Sequence, residues 1–265
     1  MNRKKIISLL EDVVIVAAAV LLLYACGRIF VCDRFRVRGE SMEPTLHTGQ
    51  WLWVNKLLMG ARIYKTYDFE QPQMSCFRMP GLRKPRPGDI MVFNYPEGWE
   101  DGEIGFKINY VYAKRCVACP GDSISIRGGY FVNNHCADVG TPAQTQRELS
   151  DTPDSTLRKR GVVLRAHRFA RAGWTIKEFG PLYVPRRGDS IVLDEHTARL
   201  YSKLLRYECP EPDYAPGDTH IFLHDYYFLA GDNVLDSRDS RYFGLVPDPF
   251  IVGIVPRLLL EVVTR

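Results

Sequence analysis

An apolar run near the N-terminus constrains this chain more than any other feature. Val13 to Gly27 carries no charge, and only Tyr24 and Cys26 interrupt its aliphatic character. Arg3-Lys4-Lys5 precedes it, Glu11 and Asp12 sit at its leading edge, and Arg28 closes it. A helix from about Ile7 to Gly27 is long enough to cross a bilayer if the two acids lie at headgroup depth. A basic flank of this kind stays on the cytoplasmic side. The expected layout is a cytoplasmic tail over 1–5, a transmembrane anchor over 6–28 and a body on the exported side. Two other readings share the pattern. One is a cleaved secretory leader. The other is a lipoprotein in which Cys26 of Leu23-Tyr24-Ala25-Cys26 is lipidated, although Tyr24 is bulky for such a site. With a retained anchor or a lipidated cysteine, the rest of the chain folds close to a lipid surface; a cleaved leader would release it.

The chain has 265 residues, enough for one substantial domain or a core with a smaller lobe. Its net charge of +4 is spread among acids rather than gathered in one tract, which argues against a nucleic-acid partner. Seven cysteines cannot all pair internally. Cys116-Val117-Ala118-Cys119 has redox or zinc spacing, but no second pair with that spacing accompanies it. Small, buried, structural cysteines are the favoured reading.

The body reads as mainly β. Short strands are expected from Phe35 to Val37, Gln50 to Asn55, Ile90 to Phe93 and Asn109 to Ala118. Ser123 to Ile126 and the residues after Gly128-Gly129 form a hairpin pattern. Residues 64–87 are rich in proline, glycine and charge and read as an irregular excursion. Pro85-Arg86-Pro87-Gly88-Asp89 turns into a strand, and Pro185-Arg186-Arg187-Gly188-Asp189 echoes it. Glycine accepts the positive φ such a turn needs, and the aspartate can bond to nearby backbone. Asn133 to Arg160 lacks periodicity. His196 to Tyr207 reads as one amphipathic helix, and Thr219 to Ala230 returns to strand character.

Three polar segments carry the chemistry. Ser41 lies in Gly39-Glu40-Ser41-Met42-Glu43-Pro44-Thr45-Leu46, shortly after the apolar run. Lys114 lies in an apolar strand, Ile108-Asn109-Tyr110-Val111-Tyr112-Ala113-Lys114, and adjacent Arg115 is expected on the opposite, solvent-facing side. Burial depresses a lysine pKa because it disfavours the charged form, and a neutral lysine can activate a serine. The third segment is the dense loop from Gly231 to Gly244. It holds Asp232, Asn233, Ser237, Asp239 and Arg241.

Together with Arg86-Pro87-Gly88-Asp89 and Lys114-Arg115-Cys116-Val117-Ala118-Cys119-Pro120-Gly121-Asp122, these segments resemble, in order, the conserved boxes of bacterial type I signal peptidases. The resemblance implies a signal-peptidase-like β catalytic core over 29–132 and 224–265, a second lobe inserted over 133–223, and one N-terminal transmembrane helix before them. It implies a membrane-bound serine endopeptidase of the bacterial cytoplasmic membrane. Such an enzyme removes signal peptides from exported preproteins after small residues of Ala-X-Ala type. Ser41 would be the nucleophile and Lys114 the general base. Ser237 would orient the base, Asp239 and Arg241 would pair beneath the site, and Asp232 and Asn233 would shape the loop. No metal or organic cofactor is implied, and a monomer is expected. Gly39 stands where some members carry a serine, which leaves the Ser41 backbone N–H as the assigned oxyanion donor and the second donor unassigned.

The neighbourhood of the anchor suggests lipid or substrate contact through Met42, Pro44, Leu46, Trp51 and Trp53, with core packing as the alternative for the tryptophans. An extended substrate could add as a strand beside Ile90 to Phe93 or near Met42. His220 and His224 share a face, but a third ligand segment is missing. Two alternatives to the enzyme reading stay open. A self-cleaving repressor-type protease shares the Ser/Lys pair but would carry a soluble DNA-binding N-terminus. A catalytically silent membrane protein could use the same fold for binding or assembly.

Overall fold

The computed structural model describes residues 3–66, 76–97, 103–166, 169, 172–210 and 214–256. Part of the excursion expected over 64–87 (67–75) and the end of the expected core (257–265) lie outside these, as do Met1 and Asn2 of the expected tail. Helix α1, Arg3–Cys26, leads into a π-helical turn over Gly27–Val31. The apolar span that runs through both, Leu10–Val31, has a mean hydropathy of 2.4 and none of it is buried by the rest of the chain. A helix that is apolar all round and packs against nothing is long and apolar enough to cross a bilayer. Lys56 Nζ donates to the Arg28 carbonyl at 2.6 Å and fixes the foot of the helix to the body.

The body is built on β1 (Cys32–Arg36), β2 (Trp51–Asn55), β5 (Ile90–Glu97), β6 (Gly105–Ala118), β12 (Tyr226–Ala230), β13 (Val246–Pro247) and β14 (Ile251–Val255). They form one antiparallel sheet in the order β1-β2-β14-β5-β6-β12-β13. A two-stranded ribbon, β3 (Arg62–Tyr64) with β4 (Cys76–Arg78), flanks it. A second sheet carries β8 (Tyr130–Asn133), β7 (Ser123–Arg127) and β9 (Phe179–Tyr183) in that order. β10 (Ser190–Val192) pairs with β11 (Thr219–Ile221). Burial alternates along β2: Leu52 and Val54 point into the core, while Trp51 and Trp53 are exposed. β12 and β14 are buried at every residue, as strands covered on both faces must be.

The expected inserted segment contributes β9 to the sheet of β7 and β8. Its Leu149, Leu164, Leu182 and Leu204 join the same hydrophobic cluster as Phe93, Val117 and Phe250. The stretch after Asn133, which lacks a clear period, contains helices α2 (Ala143–Asp151) and α3 (Asp154–Lys159). The single helix expected over 196–207 is two, α4 (Glu195–Leu200) and α5 (Ser202–Glu208), broken at Tyr201. The Tyr201 ring is buried and its hydroxyl donates to the Tyr183 carbonyl at 2.8 Å. That contact holds the chain out of helix at the join.

Among the described residues, the Gly-Asp echo is a turn used four times. In Arg86–Asp89, Cys119–Asp122, Arg186–Asp189 and Ala215–Asp218, the aspartate carboxylate accepts from the first residue's N–H at 2.8–2.9 Å. In each, the aspartate N–H donates to the first residue's carbonyl. The glycine between has φ near +90°, at Gly88, Gly121, Gly188 and Gly217. This is the geometry of a type II turn closed by its own side chain.

Candidate active site

Lys114 sits in β6 opposite Met91 of β5, and its side chain is 1 % exposed. Ser41 follows β1 in a tight loop in which Glu43 N–H donates to the Glu40 carbonyl and Leu46 N–H to the Met42 carbonyl. Met42 and Leu46 anchor that loop. They are 2 % and 0 % exposed and pack with Leu52, Val54, Ile90, Val92, Val252 and Val255. The lipid contact expected of these two residues is therefore corrected: the loop turns its apolar side chains into the sheet, and only Pro44 among the three is exposed. With the loop seated this way, Lys114 Nζ donates a hydrogen bond to Ser41 Oγ across 73 positions of sequence.

The loop after β12 clasps both groups. Asn233 N–H donates to the Ser41 carbonyl at 3.2 Å, and its Nδ2 to the Glu40 carbonyl at 3.3 Å. Arg241 holds Asp239 in a bidentate pair, with Nε to Oδ1 and Nη2 to Oδ2 both at 2.8 Å, and its Nη1 reaches the Val234 carbonyl at 3.0 Å. Asp239 also caps the short helix α6 (Ser240–Phe243) and accepts from Gly231 N–H at 2.9 Å. Both members of the pair are fully buried. Burial pushes the Asp239 carboxyl up, but the charge and hydrogen bonds of Arg241 outweigh it and hold the group below its ordinary range.

Arg115 departs from expectation. It is buried rather than solvent-facing, because the sheet is covered on both sides at this point. A buried guanidinium needs a carboxylate, and Asp232 provides it. Arg115 Nε and Nη2 donate to the two Asp232 oxygens at 2.6 Å each, while Nη1 reaches the Gly88 carbonyl at 2.9 Å. The signal was present in the sequence, as a second cation beside an apolar-strand lysine with an acid in the polar loop. Thr145 of α2 had no such signal; its hydroxyl donates to the Asp232 carbonyl at 2.6 Å and ties the central segment to the site.

Ser237 Oγ is buried but makes no hydrogen bond among the described residues, so it is near the site without bonding Lys114. A Cβ built on Gly231 would lie 2.1 Å from Ser237 Oγ and 2.5 Å from the Ser41 carbonyl oxygen, so this position must be glycine for the loop to close. Burial lowers the Lys114 pKa from 10.5 to about 8; Asp239 raises it, Arg241 lowers it again, and Asp232 and Asp236 raise it slightly.

A groove of about 670 Å³ opens in front of Ser41. Its walls are Phe35 to Gly39 on one side and Ile108 to Ala113 of β6 on the other. β6 is paired along one edge by β5, whereas β12 covers only Arg115 to Ala118 on the other. Strand addition beside Ile90 to Phe93 is excluded, because β5 is already bonded on both edges, to β6 and β14. Trp51 and Trp53 lie on the outer face of β2 at 52 % and 44 % exposure, with Arg34 stacked over the Trp51 ring at 4.7 Å. His220 is bonded to Glu208 and Tyr214, and His224 faces Asp248.

The sequence model of the family described as "Signal peptidase, peptidase S26" matches residues 9–259. Signal peptidase I of Pseudomonas aeruginosa is 28 % identical over 236 residues, covering 85 % of this chain and 64 % of that protein. The chain thus spans a little under two thirds of that relative's length. Signal peptidase I P of Bacillus subtilis subsp. natto is 26 % identical over 236 residues, 88 % of this chain and 80 % of its own. A crystal structure of a signal peptidase I from Enterococcus faecalis aligns over 65 % of this chain and 97 % of that one, at 18 % identity and a TM-score of 0.32.

Proposed function

The chain belongs to the signal peptidase family, peptidase S26, and from that membership we propose that it is a membrane-anchored serine endopeptidase that removes signal peptides by a Ser41/Lys114 dyad. The observation that carries this reading is the hydrogen bond from Lys114 Nζ to Ser41 Oγ, made by a buried lysine whose pKa lies at about 8. A lysine at its ordinary pKa would be a poor base at neutral pH; this one has a usable neutral fraction there.

Neutral Lys114 takes the Ser41 proton as Oγ attacks the scissile carbonyl. The Ser41 backbone N–H donates to the developing oxyanion. The Lys114 ammonium then returns its proton to the departing amine, and the freed lysine activates the water that hydrolyses the acyl-enzyme. The Asp239–Arg241 and Arg115–Asp232 pairs fix the floor on which these steps occur, and Ser237 supports the amine from beside Gly231. An extended peptide lies in the groove between Val37–Gly39 and the open edge of β6, taking main-chain hydrogen bonds from both. Alanine-sized side chains suit the part of that groove closed by Met42, Leu52 and Val92.

α1 lies in the bacterial cytoplasmic membrane with its basic end in the cytoplasm, and the body works on the exported side with Trp51 and Trp53 at the lipid interface. Both reacting groups come from one chain, so a monomer suffices. The test uses the full chain in detergent with a preprotein substrate. Ser41→Ala and Lys114→Ala should each abolish cleavage while the fold is retained by circular dichroism; cleavage by either variant sinks the dyad.

A further inference from the structure

Two residues beyond the lysine, β6 carries a feature that the proteolytic reading leaves unused. Cys116 and Cys119 have their Sγ atoms 3.6 Å apart. In a straight strand, residues three apart point away from each other. Here the β6–β12 register slips between Phe228 and Leu229, and the Cys119–Asp122 turn begins at once, which swings the second thiol back over the first. Cys116 is fully buried and Cys119 is half-buried, so the pair has one closed and one open side. The backbone on both sides is already fixed. Cys116 N–H donates to the Asp89 carbonyl and its own carbonyl accepts from Gly88 N–H, both at 2.8 Å. Cys119 N–H donates to Asp122 at 2.8 Å, and Gly121 N–H to the Val184 carbonyl at 2.7 Å. Among the described residues, the Cys119 thiol makes one bond outside the pair, to the Pro85 carbonyl at 3.4 Å.

We propose that Cys116 and Cys119 are a thiol–disulfide site, a clasp that closes the β6–β7 turn behind Lys114 and Arg115 when it meets a disulfide-bearing oxidant. A metal is the poorer occupant, since no group of three or more histidine, cysteine or carboxylate side chains that could hold one occurs among the described residues, and zinc takes four ligands. The reaction runs by exchange. The accessible Cys119 thiolate attacks one sulfur of R–S–S–R, forms Cys119–S–S–R and expels one RS⁻. Cys116, having given its proton to that RS⁻, attacks Cys119 Sγ and expels the second RS⁻, which takes up the proton that Cys119 lost to solvent. Two protein thiols are oxidised and one R–S–S–R is reduced to two RSH. Burial, together with the Cys119 hydrogen bond and the charges of Asp89 and Asp122, holds the Cys116 thiol well above its ordinary range. Entry is therefore through Cys119, and Cys116 is the resolving partner. Closure needs side-chain rotation that brings the sulfurs from contact to bonding distance, with no backbone bond broken. On an exported body the clasp would face an oxidising compartment, but the chemistry does not depend on that placement.

The sequence supplies a direct readout. Arg115 and Arg127 flank a tryptic peptide, residues 116–127, that contains these two cysteines and no other. The full-length protein in detergent is treated with oxidised glutathione, quenched with acid, alkylated and digested, and this peptide is weighed. The expected product carries no alkyl group and no glutathione, is lighter than the reduced peptide by two hydrogens, and returns to the doubly alkylated form after dithiothreitol. Cys116→Ser should instead hold a stable glutathione adduct on Cys119. Cys119→Ser should leave Cys116 unreactive until the protein is denatured. Two free thiols after oxidant, a persistent glutathione adduct on the unaltered protein, or a bridge from this peptide to another cysteine each overturns the proposal. None of these readouts involves peptide cleavage, so they stand apart from the fate of the Ser41/Lys114 reading.

Discussion

The sharpest prediction concerns pH. With a pKa of about 8, the neutral fraction of Lys114 is about 1 % at pH 6, about 10 % at pH 7 and about 90 % at pH 9. An unperturbed lysine at 10.5 would be neutral to only about 0.03 % at pH 7, so burial raises the working fraction about 300-fold. If neutral Lys114 is the base, kcat/KM should climb about tenfold from pH 6 to 7, about tenfold again from 7 to 9, and then level off. The assay is initial-rate cleavage of a fluorogenic signal-peptide substrate by the full chain in detergent across that range. Asp236 is exposed and raises the lysine pKa slightly. Asp236→Asn should therefore move the limb to lower pH by a fraction of a unit without changing its height. The same shift makes a stability prediction of fixed sign. The folded pKa lies below the unfolded one, so the unfolded chain binds the extra proton between about pH 8 and 10.5. Stability should rise with pH through that window, by about 3 kcal/mol at most, and Lys114→Met should remove the rise. A rate limb centred near pH 10.5, a flat profile, or a limb that persists in Lys114→Met would refute the reasoning.

Further predictions test the scaffold. Leu46→Ala should cost about 2–5 kcal/mol in urea unfolding, as a fully buried leucine does. Trp53→Ala should change stability by no more than about 0.5 kcal/mol yet weaken binding to lipid vesicles; the reverse pattern would return Leu46 to the lipid. Ser237→Ala removes a buried hydroxyl that has no partner among the described residues. It should leave the melting temperature unchanged or slightly higher while lowering kcat/KM, and a fall in both would make Ser237 structural only. Gly231→Ala should inactivate the protein. Ser237→Ala in the same chain should not restore it, because the Ser41 carbonyl oxygen would still lie 2.5 Å from the new Cβ; rescue by the double variant would locate the clash in the hydroxyl alone.

Much of this was legible in the sequence because local physics dictates it. The apolar run is the long helix it was expected to be, the expected Gly-Asp turns at Gly88, Gly121 and Gly188 are turns, and Lys114, set among apolar strand residues, is buried as its reading as a base needs. What escaped was set by tertiary context. Nothing in Met42 and Leu46 says which way a loop beside a membrane will turn; the choice is made by a pocket between β2, β5 and β14, whose strands lie far apart in sequence. Arg115 was expected to alternate out to water, but alternation predicts solvent only where one face of a sheet is bare, and here both are covered. The helices after Asn133 are short and pack through few residues, Gln146, Leu149 and Leu157, too few to mark a period. Thr145 gains its role from a contact 87 positions away.

The charges under the site carry one further argument. Among the described residues, two arginines and two aspartates are buried around the lysine, and they are matched two by two: Arg115 with Asp232 and Arg241 with Asp239, each through paired hydrogen bonds. Each carboxylate spends both oxygens on its own arginine, and Asp239 gives further capacity to the Gly231 and Arg241 N–H groups. Lys114 is left as the odd cation, bonded to a neutral hydroxyl. A buried ammonium without a dedicated counter-ion is costly, and releasing its proton is the cheapest way to remove that cost. The two arginine pairs thus do more than support the loop. By taking up the available carboxylates they leave the lysine poorly paired, which is what a base at this position requires.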